Sequence, residues 1–269
     1  MEGWRALDRD VLDDGYANAP HIAGADAYPH RWADAAALFR AGLGAAVETG
    51  LSYGPHPRET FDLFRPPETP RGLVAFVHGG YWRAFAPSDW SHLAAGPLEA
   101  GYAVAMIGYP LAPEVRIAAI TQSVGRAVDA AAAHVAGPVH LAGHSAGGHL
   151  VARLCMPDAA PRCAARLRAC AAISPLSDLR VLKGLTLNGE WRLDAEEAHA
   201  ESPVLGRPLS GIAITVHVGA AERPSFLWQA SRLSEAWHAP LRLVPDRHHF
   251  DVVEAMTDPG SRLMRDLLV

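Results

Sequence analysis

Two short stretches, Gly72 to His78 and Tyr102 to Gly108, are apolar at nearly every position. A strand with one wet face alternates apolar and polar residues, whereas a run this uniform fits a strand covered on both faces, as in a parallel sheet. Helical spacing over Ser88 to Ala100 separates the two runs. Beyond them, Ile117, Ile120, Val124, Val128, Ala131 and Val135 fall on one stripe and predict an amphipathic helix. The alternation continues with a strand at Pro138 to Ala142, a helix at Gly147 to Cys155, strands at Ala169 to Ile173 and Ile212 to Val218, a helix at Phe226 to Trp237 and a strand at Leu241 to Val244. Strand and helix in alternation over this length imply an α/β chain: a mainly parallel sheet with helices on both faces. The expected organisation is one domain over residues 1–269. Residues 1–50 read as an N-terminal arm with a helix near Arg31 to Glu48, leading past a Pro-rich stretch into the first strands. The polar, Pro/Gly-spaced segment 177–208 reads as a cap over the C-terminal edge of the sheet, where such folds bind ligands.

Composition narrows the function classes. Hydrophobic residues make up 49% and charged residues 20%, the balance of a chain that buries a large core. The formal charge is −5, and no Lys/Arg block tracks a phosphate backbone, so nucleic acid is not an expected partner. No apolar run approaches the ~20 residues of a membrane-spanning helix, so no membrane association is expected either. The opening MEGWRALDRD is charged and has no apolar h-region, which makes a cytoplasmic location the default expectation. Cys155, Cys163 and Cys170 show neither CxxC spacing nor a disulfide framework and read as reduced packing residues. Neither HExxH nor a P-loop nor GxGxxG is present, so no metal or organic cofactor is expected, although His217, His248, His249 and Asp251 are worth testing as ligands.

The chemistry concentrates in a few segments. Gly143-His-Ser-Ala-Gly147 matches G-x-S-x-G and lies between a predicted buried strand and a predicted helix, the setting in which the glycines allow a sharp turn that presents Ser145. Upstream, His78-Gly79-Gly80-Tyr81-Trp82 follows a buried strand, where backbone N–H groups of an oxyanion loop would stand. Gly79, Gly80 and Tyr81, with the amide of Ala146, are the candidate donors. Tyr81 and Trp82 are candidate walls for an aryl group. A serine needs a base, and His248 and His249 follow the last predicted strand. Position after a late strand nominates Glu222 as the acid, with Asp178, after the preceding strand, as the alternative. His144 adjoins the serine and reads as a supporting residue.

Together the His78-Gly-Gly-Tyr-Trp82 loop, the Gly143-His-Ser-Ala-Gly-Gly-His149 elbow, Pro224-Ser-Phe226 with Gln229, and His249-Phe-Asp-Val-Val-Glu254 resemble the kynurenine formamidases (arylformamidases) of the α/β-hydrolase type. The resemblance runs from about Tyr53 to Glu254. It implies hydrolysis of N-formyl-L-kynurenine to L-kynurenine and formate without a cofactor, with Ser145 as nucleophile, His249 rather than His248 as base, and Glu222 where family members usually carry Asp. The amino-acid end of such a substrate has four candidate partners, Arg83, Arg116, Arg192 and Arg223. A carboxylesterase acting on small aryl or short-acyl esters, or a hydrolase of another N-acyl arylamine, would use the same residues. A non-catalytic binding protein on the same fold is a third reading. A homodimer is an option that one sequence does not decide. Ser145→Ala and His249→Ala are expected to abolish turnover while His248→Ala retains appreciable activity. Glu222→Ala should cost orders of magnitude in kcat, and Asp178→Ala should not. Steady-state kinetics of the five variants checks this, and equal loss at both histidines would undo the choice between them.

Overall fold

The computed structural model describes residue 4 and residues 7–269, so residues 1–3, 5 and 6 of the arm lie outside the described residues. Eight strands form one sheet: β1 (Val47–Ser52), β2 (Thr60–Phe64), β3 (Leu73–Val77), β4 (Ala103–Ile107), β5 (Val139–His144), β6 (Leu167–Ile173), β7 (Ala213–Gly219) and β8 (Leu241–Val244). Their order is β1-β2-β4-β3-β5-β6-β7-β8. β2 runs antiparallel to β1 and β4, and every other pairing is parallel. The helices are α1 (Arg9–Tyr16), α2 (Tyr28–Leu43), α3 (Ala95–Glu99), α4 (Ile117–Ala133), α5 (Ala146–Leu154), α6 (Asn188–Trp191), α7 (Ala195–Ala200), α8 (Pro224–Trp237) and α9 (Arg262–Leu267). None of the helices among the described residues is long and apolar enough to cross a membrane.

The uniform apolar runs find their reason in two cores. Leu73, Ala75 and Val77 of β3 pack on the side covered by α4, α5 and α8, and Val74 and Phe76 pack on the side covered by α2 and α9. β4 divides the same way, Ala103, Ala105 and Ile107 against Val104 and Met106. Successive side chains of a strand point to opposite faces, and both faces here are dry. Each fully buried Leu, Val or Phe contributes about 1.5–3 kcal/mol relative to exposure.

Two local expectations need correction. The helix expected to reach Glu48 ends at Leu43, and Val47–Ser52 pairs with β2 as an edge strand whose side chains are mostly exposed. An edge strand without a buried face carries no alternating signal. The helix expected over Ser88 to Ala100 is two short 3-10 turns, Pro87–Asp89 and Ser91–Ala94, followed by α3. Gly96 and Pro97 allow only a brief α-helical segment there.

The turn from β5 into α5 is the tightest point of the framework. A Cβ on Gly147 would lie 1.9 Å from the Val77 carbonyl oxygen, and one on Gly143 would lie 2.2 Å from the Gly147 carbonyl oxygen. Backbone on backbone cannot move aside as a side chain can. Gly147→Ala is therefore expected to destabilise the fold by about 3 kcal/mol, the upper range for overpacking, and to lower Tm by roughly 6–12 °C. Gly42→Ala in α2, where nothing lies within 4 Å, serves as the control and should hold or raise Tm. Thermal unfolding of both variants checks the comparison.

Candidate active site

Ser145 joins β5 to α5 with φ 57° and ψ −117°, a conformation that non-glycine residues adopt only when their surroundings enforce it. Its amide donates to the Ile173 carbonyl at 2.8 Å, which ties the turn to β6. Ser145 is 3% exposed and lies on the wall of a cavity of about 540 Å³ at the C-terminal edge of the sheet, a volume suited to a small organic ligand. His249, on the loop after β8, lines the same cavity.

The Nδ1 of His249 donates to Glu222 Oε2 at 2.6 Å, with both side chains buried. Glu222 stands between β7 and α8. Its other oxygen, Oε1, accepts from the Gly219 amide at 2.8 Å and from Ser174 Oγ at 2.5 Å. Both carboxylate oxygens are thus committed, and the imidazole is held with Nδ1 protonated and Nε2 as its basic nitrogen. Ser174, at the end of β6, carries a positive φ of 47° and was not among the sequence candidates. Its partner lies 48 residues away, and no local pattern announces that contact.

The alternatives are engaged elsewhere. Asp178 binds the Nε and Nη2 of Arg180 at 2.8 and 2.7 Å. His248 points to α2, with Nε2 at 3.1 Å from the Tyr28 hydroxyl, and Asp251 Oδ1 accepts from the His248 amide at 2.8 Å. His144 donates from Nε2 to the carbonyl of His249 at 2.8 Å, its ring 4.7 Å from that of His249. It thereby fixes the loop that carries His249. His217 lies near Asp266, at 3.6 Å, and among the described residues no group of three or more His, Cys, Asp or Glu is placed to hold a metal ion.

The loop after β3 closes on the elbow. A Cβ on Gly79 would stand 3.0 Å from Ser145 Cβ, and Gly80 turns the chain with φ 99°. The Tyr109 hydroxyl donates to the His78 carbonyl at 2.8 Å, and Trp191 Nε1 donates to the Tyr81 carbonyl at 2.9 Å. These bonds fix the loop from behind. No acceptor among the described residues takes the amides of Gly80, Tyr81 or Ala146. Tyr81 lines the cavity, its hydroxyl donating to the Tyr16 carbonyl at 2.6 Å. The expectation that Trp82 walls an aryl ring is corrected: Trp82 is fully buried, edge-on to His149 and Trp191 at 5.2 and 5.6 Å, and does not line the cavity. Its indole packs into the core instead, and its backbone has a positive φ of 58°.

Much of the remaining lining comes from the arm, to which the sequence assigns no role at the site, and from the 177–208 segment expected to cap it. Asp13, Tyr16, Asn18 and Pro20 of the arm, with Trp32 of α2, form one side, and Leu185, Thr186 and Leu187 of the 177–208 segment form another. Gln229 of α8 holds the arm in place, donating from Nε2 to the Tyr16 hydroxyl at 2.8 Å. Its Oε1 accepts from the amides of Ser177 and Asp178, each at 2.7 Å. Trp32 packs against Trp90, the ring centroids 4.6 Å apart and the planes tilted by 35°. Only the mutual packing of distant segments reveals the contribution of the arm, since aromatic and Pro residues near position 20 carry no motif.

Comparison with known proteins now defines the class. A family model described as the alpha/beta hydrolase fold matches residues 74–237, and the chain belongs to that family. Its relatives narrow the assignment. The chain is 30% identical to the kynurenine formamidase of Drosophila melanogaster, over 81% of this chain and 80% of that protein. It is 26% identical to the kynurenine formamidase of Danio rerio over 100% of this chain and 98% of that protein. The protein is thus a hydrolase of the kynurenine formamidase (arylformamidase) family. A crystal structure from Silicibacter sp. TM1040, provisionally described as a thioesterase, superimposes with a TM-score of 0.94 at 51% identity, covering 96% of this chain and 99% of that one.

The buried histidines behind the site make a prediction about acid. Burial holds His78 and His217 down to about 4 and His149 down to about 3, all below the 6.5 of a solvated imidazole. Between these values the unfolded chain takes up protons that the native chain refuses, so stability is full above about pH 6.5 and drains as pH falls towards 4. Thermal unfolding from pH 7.5 to 4.5 should show Tm falling steadily below pH 6.5. A flat profile would contradict the neutral burial of these rings.

Proposed function

We propose that the protein hydrolyses N-formyl-L-kynurenine to L-kynurenine and formate, with Ser145 as nucleophile, His249 as general base and acid, and Glu222 as the orienting carboxylate. The observation that carries this reading is the 2.6 Å bond from His249 Nδ1 to Glu222, made beside the cavity that Ser145 and His249 both line. A serine hydroxyl is a weak nucleophile until a neighbouring base takes its proton. Ser145 Oγ attacks the formyl carbon as His249 Nε2 accepts the proton, and Glu222 stabilises the resulting imidazolium. The carbonyl oxygen becomes an oxyanion facing the amides of Gly80, Tyr81 and Ala146, with Gly79 bringing the loop against the elbow. Each such donor is worth about 3 kcal/mol of barrier. His249 then protonates the departing arylamine nitrogen, the C–N bond breaks, and a formyl ester remains on Ser145. Water, deprotonated by His249, attacks that ester; the bond from the formyl carbon to Ser145 Oγ breaks, His249 returns the proton to Oγ, and formate is released. No metal or organic cofactor takes part in this scheme.

The largely apolar lining, with Trp32, Phe85 and Trp90, suits an aryl body. The relative provisionally described as a thioesterase favours a second reading, transfer of a short acyl group from an ester or thioester to water, by the same residues. Steady-state rates on N-formyl-L-kynurenine, a p-nitrophenyl ester and a short-chain acyl thioester separate the two. The formamidase reading expects kcat/KM of about 10⁴ M⁻¹s⁻¹ or more on the formamide, lost in Ser145→Ala and resistant to chelator. Ester or thioester turnover without formamide turnover would replace the substrate and keep the residues.

A further inference from the structure

Among the described residues, the lining of the cavity contains one Arg and one carboxylate, Arg83 and Asp13, and no Lys or Glu. Arg83 is exposed and Asp13 is half-buried. Arg83 Nε lies 2.8 Å from a Glu190 carboxylate oxygen in an exposed ion pair, and no hydrogen-bond acceptor among the described residues takes its two terminal nitrogens. Asp13 receives the Thr186 amide at 2.8 Å on Oδ1 and the Thr186 hydroxyl at 2.6 Å on Oδ2, which fixes its carboxylate and leaves lone pairs on both oxygens. The two anchors are neighbours, because the Gly189 amide donates to the Thr186 carbonyl at 3.1 Å and so folds Thr186 and Glu190 into one turn. A cation and an anion are thereby tethered to one short piece of chain beside a largely apolar cavity.

We propose that Arg83 is the specificity-determining residue that receives the carboxylate of the substrate, with Asp13 receiving an ammonium group on the same carbon. The substrate class is then an α-amino acid whose aryl body, carrying the N-acyl group, enters the apolar part of the cavity. This rests on the formamidase reading above. Of the four arginines the sequence offers, the other three are held away from the cavity: Arg116 by Asp194 and Glu197, Arg192 by the Pro113 carbonyl, and Arg223 by Asp14. A guanidinium with both terminal nitrogens available can bind a carboxylate through two parallel bonds, which gives orientation as well as attraction.

The test is a binding measurement that does not depend on turnover. Dissociation constants for L-kynurenine and for 2-aminoacetophenone, which has the ring and ketone without the amino-acid end, are measured by calorimetry on the wild-type protein and on Arg83→Met, Arg83→Lys and Asp13→Asn. The wild type should prefer L-kynurenine by about tenfold or more. Arg83→Met should bring that ratio close to one, Arg83→Lys should restore part of it, and Asp13→Asn should lower it. Thermal unfolding of each variant verifies that it is folded. A wild type without preference, or an Arg83→Met variant that keeps it, would overturn the proposal. A preference that depends on Arg83, found together with no hydrolysis of the formamide, would leave this assignment standing and remove the formamidase reading instead.

Discussion

The C-terminal edge of the sheet is organised by a single close approach, that of the first turn of α5 to the ends of β3 and β5. With no Cβ at Gly143 or Gly147, the backbone of the turn packs directly on the Val77 carbonyl and on itself. This contact forces Ser145 into its positive-φ conformation and lifts its side chain clear of the sheet. It also sets the distance to the loop after β3, since Gly79 lies against Ser145 and His144. The strain of an unfavourable φ, about 1–3 kcal/mol, is borne by the buried sheet on either side. An amphipathic scaffold of lesser depth would relax the turn; one buried on both faces cannot.

A second layer of constraint acts on the pair formed by Glu222 and His249. Glu222 is held on Oε1 by a backbone amide and by Ser174, so that Oε2 alone meets His249. His144 clamps the backbone of His249, and Tyr28 and Asp251 hold His248 on the other side. Buried charge and hydrogen bonds of this kind interact in a medium of low effective dielectric, where partners already in place need little reorganisation as charge develops. The arrangement also explains why a glutamate serves here: its reach spans from the β7 turn to the ring while its inner oxygen remains bonded to Gly219 and Ser174.

The cavity itself has a composite origin. The sheet supplies Ser145 and the loops after β3 and β8, whereas the arm and the 177–208 segment supply most of the remaining lining. Most of the cavity wall is therefore built by parts of the chain other than those that bring Ser145 and His249 together. Loops that cover a rigid strand edge are free to vary without disturbing it.

From the sequence by itself came the parallel sheet, through runs apolar on every residue, and the separate identities of the serine turn, the glycine loop and the histidine loop, through short patterns whose spacing is dictated by local backbone geometry. Local physics reaches that far because periodicity and turn chemistry act over a few residues. It reached neither the edge strand β1, which has no buried face to imprint a pattern, nor the orientation of Trp82, which depends on what packs around it. Tertiary structure alone decided that Glu222 and not Asp178 meets His249, that Ser174 supports it, and that Arg83 is the arginine beside the cavity. Each of these is a contact between side chains that are distant in sequence or that compete for one partner, and such choices are settled by packing in three dimensions.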